Sequence, residues 1–121
     1  MPDAPARLKQ RADFLRVAQG AKYAAPGLVL QGRARADDGA APRVGFTVSK
    51  RVGNAVERNR VKRRLKALAD RLIPLYAAPS HDYVVIGRRA ALTRSHAALG
   101  ADMKKALRKL GAARAPEVTE P

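Results

Sequence analysis

Arg43-Val-Gly-Phe-Thr-Val-Ser-Lys-Arg-Val-Gly-Asn-Ala-Val-Glu-Arg-Asn-Arg-Val-Lys-Arg-Arg-Leu-Lys-Ala-Leu-Ala-Asp-Arg71 changes its hydrophobic period part-way along, and that change sets the fold. Up to Ser49 the residues alternate. Val44, Phe46 and Val48 fall on one side and Gly45, Thr47 and Ser49 on the other, the period of a half-buried strand. Gly53 ends that unit. Asn54 is an N-cap residue type and Glu57 stands at the capping-box position, so the spacing predicts a helix from here. At about 100° per residue, Val61, Leu65, Leu68 and Leu72 form one stripe, while Asn59, Arg60, Lys62, Arg63, Arg64 and Lys66 occupy the remaining arc. Arg58 lies at the border, where its stem can cover apolar surface.

The stretch carries ten Lys or Arg against two acids, Glu57 and Asp70. A merely solvated helix face normally interleaves acids with bases for i,i+4 pairing, and this one does not. Uncompensated cations repel one another unless a polyanion neutralises them, which favours nucleic-acid binding over a bland solvated face. The whole chain points the same way: 121 residues with a formal charge of +15 and a pI of about 11.4. That length and a 46% hydrophobic content suit one domain with a small core.

There is no cysteine, which excludes disulfides and thiolate zinc sites. His81 and His96 have no partner at ligand spacing and read as surface or cap-adjacent residues. Phosphate-loop, dinucleotide and nucleophile-elbow patterns are all missing, so no catalytic residue and no metal ligand is assigned to this chain. No apolar run approaches membrane-spanning length and no leader or lipidation signal is present; the expectation is a soluble, cytoplasmic protein without a membrane partner.

Outward from the central stretch, residues 1–7 hold two prolines and are expected to be disordered. A short helix is predicted from about Lys9 to Gln19, with Gly20 after it. Its Phe14 reads equally as a core residue or as a base-stacking platform. Leu28 to Arg35 reads as a strand, Asp37-Asp38-Gly39 as a solvated turn, and the two flanking strands as an antiparallel hairpin. A further short strand near Lys22-Tyr23-Ala24 is a candidate. The basic helix is predicted to end near Leu72 or Ile73, with Pro74 as its stop. Asp82 to Gly87 contains Tyr-Val-Val-Ile, a strand covered on both faces, and Arg88-Arg89 follow it. A last helix is predicted from Ser95 to Leu110, capped by Ser95, with Lys104, Lys105, Arg108 and Lys109 placed to favour its dipole. Residues 111–121 read as a disordered tail. The sum is a single-domain α/β sandwich of the α+β class.

Val44 to Arg63, and above all Arg58-Asn59-Arg60 within Gly-Asn-Ala-Val-x-Arg-Asn-Arg-x-Lys-Arg, strongly resembles the protein subunit of bacterial ribonuclease P. The resemblance extends from Asp13-Phe14 to the strand at 82–86 and Arg88, covering a domain of about residues 8–110. It implies an αβββαβα sandwich with a left-handed crossover through the basic helix, against the usual rule. It also implies the RNA-binding subunit of a 1:1 ribonucleoprotein that removes the 5′ leader from precursor tRNA. Hydrolysis then belongs to the catalytic RNA and the Mg2+ ions that the RNA mainly holds. Carried over, Arg58, Asn59, Arg60, Lys62, Arg63, Arg64 and Lys66 are expected to face the RNA subunit. Phe14 and the sheet face ending at Ser49, Lys50 and Arg51, with Arg88 and Arg89, are expected to line a cleft for the leader. Ala18 stands where the family often carries a second bulky residue, implying a shallower platform, and Arg51 stands where lysine is common. The alternative from another class is a general basic RNA-binding or ribosomal structural protein.

Overall fold

The computed structural model describes residues 5–36 and 41–114. The elements follow in the order β1 (Ala6–Arg7), α1 (Arg11–Ala18), β2 (Ala21–Ala24), β3 (Leu28–Ala34), β4 (Arg43–Thr47), α2 (Ala55–Tyr76), β5 (His81–Gly87) and α3 (His96–Arg114). Single 3-10 turns lie at Lys50–Val52 and Arg89–Leu92. One mixed sheet runs β1-β4-β5-β3-β2. β4 is parallel to both its neighbours, whereas β3 is antiparallel to β5 and to β2. The αβββαβα order therefore holds from α1 onward, with β1 ahead of it and the candidate strand near Lys22 realised as β2.

The hairpin expected between Leu28–Arg35 and Arg43–Ser49 does not form, because β5 is inserted between β3 and β4: Val85 sits opposite Leu30 on one side and Phe46 on the other. Burial decides this. Tyr83-Val84-Val85-Ile86 is apolar on both faces, and a central strand is the place that covers both. Tyr83 and Val85 enter the main core beneath α2 and α3, with Val44, Val61, Leu65, Leu99 and Met103. Val84 packs on the opposite face with Leu8 and Val17, against Phe14 and Ile86. The alternation read in β4 holds across these two faces, since Val44, Phe46 and Val48 join the main core and Gly45 turns toward Phe14. The Asp37-Asp38-Gly39 turn lies outside the described residues.

Several boundaries differ from expectation. Ala6–Arg7, within the segment expected to be disordered, pairs with Arg43 and Val44, and Leu8 N–H donates to Val44 O at 2.9 Å. Pro74 does not stop the basic helix, which continues to Tyr76. Ile73 beside it is 1% exposed, and Tyr76 packs on the core, so burial holds the last turn despite the missing donor. α3 runs past Leu110 to Arg114, and residues 115–121 lie outside the described residues. β4 ends at Thr47, before Ser49. His81 is a buried strand residue rather than a surface one: Nδ1 lies 3.0 Å from Pro79 O and the ring stacks on Tyr83 at 5.8 Å.

The passage into α2 is fixed locally. Gly53 has φ 157° and ψ −161°, a backbone region essentially restricted to glycine, and a Cβ there would collide with the Glu57 side chain. Asn54 Oδ1 accepts from Glu57 N–H at 2.8 Å, and Glu57 Oε1 accepts from Asn54 N–H at 2.9 Å, closing the capping box. Asn54→Ala is expected to lower stability by about 1 kcal/mol, read as a shift of the urea midpoint at unchanged slope.

Candidate RNA interface

The basic arc of α2 divides into three parts. Asn59, Arg60 and Arg63 are exposed and lie on the side of the helix away from the buried stripe of Val61, Leu65, Leu68 and Ala69, so they face away from the sheet. Lys62 and Lys66 stand on the flank toward β4. With Arg7, Leu8, Phe14, Gly45 and Phe46 they line one groove. Arg64, on the other flank, donates to Ala91 O and Arg94 O and clasps the turn ahead of α3. Arg58 folds back onto Gly53 O at 2.9 Å. Of the residues expected to face an RNA subunit as one set, Arg58 and Arg64 thus hold the protein's own loops, and Lys62 and Lys66 border the groove. Asn59, Arg60 and Arg63 form the outward face.

The groove follows the edge of β4 beyond the two residues of β1. Phe14, half-buried on α1, lies over Gly45; a Cβ at Gly45 would come within 2.6 Å of Phe14 Cε1. The absence of a side chain at Gly45 is what seats the ring on the sheet. Arg7 caps the far wall, its guanidinium 5.2 Å from the Phe46 ring centroid and 2.9 Å from Asp70 Oδ1. The ring packs against the satellite core and also lines the groove.

α1 is held in place by a buried carboxylate. Asp82, 0% exposed at the start of β5, accepts from Arg35 and Arg43 at 2.8 Å through Oδ1, from Arg43 at 2.7 Å through Oδ2, and from Arg16 of α1 through Oδ2. Burial pushes this carboxyl up, but the hydrogen bonds and positive charges of Arg43 and Arg35 outweigh it and leave it below the ordinary aspartate value. Sequence reasoning missed this cluster. Its signal was the one acid placed directly before an apolar run, with Arg35 at the end of the strand read from Leu28.

The remaining expected leader residues do not lie on the sheet face. Ser49 follows the end of β4, and Lys50 and Arg51 are on the 3-10 turn after it, all exposed. Arg88 and Arg89 follow the parallel end of β5; Arg89 donates to Val52 O at 2.6 Å and Arg88 to Ala25 O at 2.9 Å. The two strand ends are adjacent, so these residues form one basic rim. The rim is displaced along β4 from the ring seat at Gly45. Among the described residues no group of three or more metal-ligating side chains comes together, and no helix is long and apolar enough to cross a membrane.

Sandwich, groove and outward cationic face together define a protein of the basic RNA-binding α/β class. The sequence matches the Ribonuclease P family over residues 3–111. A ribonuclease P protein component from Paramagnetospirillum magneticum is 49% identical, over 95% of this chain and 94% of its own. One from Caulobacter vibrioides is 48% identical over 88% and 71%. A Staphylococcus aureus RNase P protein superposes with a TM-score of 0.74 at 27% identity, over 87% of each chain. The fold is also that of the Thermotoga maritima RNase P protein, with a TM-score of 0.73 over 85% of this chain and 96% of that one. The chain belongs to the ribonuclease P protein family, the protein component of that endoribonuclease.

Proposed function

We propose that this chain binds the catalytic RNA of ribonuclease P through the outward face of α2, in a 1:1 particle, and binds the 5′ leader of precursor tRNA through the Phe14 groove and the basic rim. The particle acts in the cytoplasm. The observation that carries this reading is the separation of two surfaces: exposed Asn59, Arg60 and Arg63 point away from the sheet, while Phe14, Lys62 and Lys66 share a groove at its edge. Cations set against two approaching RNAs lower phosphate repulsion and so lower the magnesium that the RNA needs. Among the described carboxylates, Asp70, Asp82 and Asp102 are engaged by arginines. In this reading the Mg2+ ions and the hydrolysis belong to the RNA.

The test is cleavage of a 5′-extended precursor tRNA at low magnesium by a bacterial ribonuclease P RNA, with and without the protein. Cleavage at the mature 5′ end is expected only with both. Retention on any RNA without gain of cleavage would instead favour a general basic RNA-binding protein. Arg60→Ala is expected to weaken assembly with the catalytic RNA and to make log affinity less steep in log salt by about one. A filter-binding series across salt concentrations reads that slope.

A further inference from the structure

α3 carries cations that no contact among the described residues explains. Helix-dipole stabilisation acts within the last turn, and α3 ends at Arg114, so Lys105, Arg108 and Lys109 lie too early to benefit. All three are exposed. Lys104 is different, because its ammonium stands 5.0 Å from the Tyr76 ring centroid at the C-terminal end of α2. The one acid of α3, Asp102, is 8% exposed and faces inward, taking Arg94 Nε at 2.7 Å and Gly27 N–H at 3.1 Å. No described carboxylate therefore offsets the outer face.

That face lies on the same side of the sheet as the outward face of α2. Leu99, Met103, Ala106 and Leu110 are buried, which puts Lys105 and Arg108 on the opposite side, pointing away from the sheet as Arg60 and Arg63 do. Both helices cover the same side of the sheet and run the same way: Arg64 bonds Ala91 O and Arg94 O just before α3, Leu68 lies against Gly100, and Tyr76 meets Lys104. Exposed Arg71 sits between the two groups. The band from Arg60 through Arg63 and Arg71 to Lys105, Arg108 and Lys109 crosses the whole two-helix layer. Arg60 to Arg71 alone spans about 16 Å at 1.5 Å per residue.

We infer that α3 extends the RNA-docking surface, so that the catalytic RNA is held by a plane two helices wide. Charge complementarity selects a polyanion as the occupant. Continuity with the α2 face, on the opposite side of the sheet from α1, selects the catalytic RNA over the leader. The inference rests on the docking role proposed for α2, and the experiment separates the two.

The variants Arg60→Ala/Arg63→Ala and Lys105→Ala/Arg108→Ala/Lys109→Ala are each titrated, as full-length protein, with a bacterial ribonuclease P RNA at several salt concentrations. The triple variant is expected to flatten the plot of log affinity against log salt by about two to three, and to keep the thermal midpoint of the parent. A flattened slope for the α2 variant with an unchanged slope for the α3 variant overturns the inference and leaves the α2 reading standing. Unchanged slopes for both overturn both. A triple variant that assembles normally but binds precursor tRNA more weakly also overturns it, since the α3 face would then belong to the substrate.

Discussion

Asp82→Ala is expected to destabilise the protein by about 3 to 5 kcal/mol, because it leaves three converging guanidinium groups without their shared carboxylate. Arg16, Arg35 and Arg43 have side chains 33%, 10% and 34% exposed, so water screens part of their repulsion and the lower end of that range applies. The effect exceeds that of an ordinary surface pair because Asp82 itself is fully buried. Three segments lose a common anchor: α1 through Arg16, the residue just after β3 through Arg35, and β4 through Arg43. Urea unfolding measures the loss, and a change below about 1 kcal/mol would show that the cluster contributes little.

The same carboxylate gives a pH signature. Its folded value lies below its unfolded one, so between the two values the unfolded chain binds more protons and stability rises with pH. The contribution is complete above the unfolded aspartate value of about 3.9 and is lost as pH falls through the folded value. Asp82→Asn removes the charge at all pH and is expected to flatten the stability curve below about pH 4 relative to the parent. An unaltered acid limb in this variant would assign the acid loss to other carboxylates.

Patterns that are local in the chain were legible in the sequence. The capping box at Asn54 and Glu57, the buried stripe of α2 and the two-faced β5 all depend on near neighbours, and they form as read. Strand pairing was not legible, because a two-faced strand whose Val85 lies 39 residues downstream of Phe46 competes for its edge: the hairpin gave way when Val85, opposite Phe46, took the central position. The end of α2 was misread for a related reason. A proline penalty is local, but the burial of Ile73 and Tyr76 that overrides it is tertiary. The interface divides the same way. Charge on the α2 arc shows in the sequence, yet the arc does not say that Arg64 is committed to Ala91 O and Arg94 O, or that Lys62 and Lys66 turn toward Phe14. Those assignments depend on what packs against each flank, and Asp82 shows the same dependence more strongly. Its three arginine partners lie 39 to 66 residues before it in the chain.

Phe14→Ala is expected to weaken binding of precursor tRNA to the assembled particle by about 1 to 3 kcal/mol, the range for a lost base–aromatic stack. At 1.4 kcal/mol per tenfold, that is roughly a 5- to 150-fold loss of affinity. Mature tRNA, which has no leader, is expected to bind as before, and so is the catalytic RNA. Alanine also removes packing from Leu8, Val17 and Val84, so Phe14→Leu is the cleaner probe: it fills the same pocket without a π-face. Leucine that preserves the urea midpoint yet loses precursor affinity places the effect on stacking, whereas leucine with parental precursor affinity reduces Phe14 to a core residue. Gly45→Ala approaches the site from beneath. Its Cβ would displace the Phe14 ring from the sheet while leaving the ring in the protein, and precursor affinity is expected to fall again. Parental affinity in that variant would mean that the leader uses the ring wherever it stands, so that the seat on β4 serves α1 rather than the substrate.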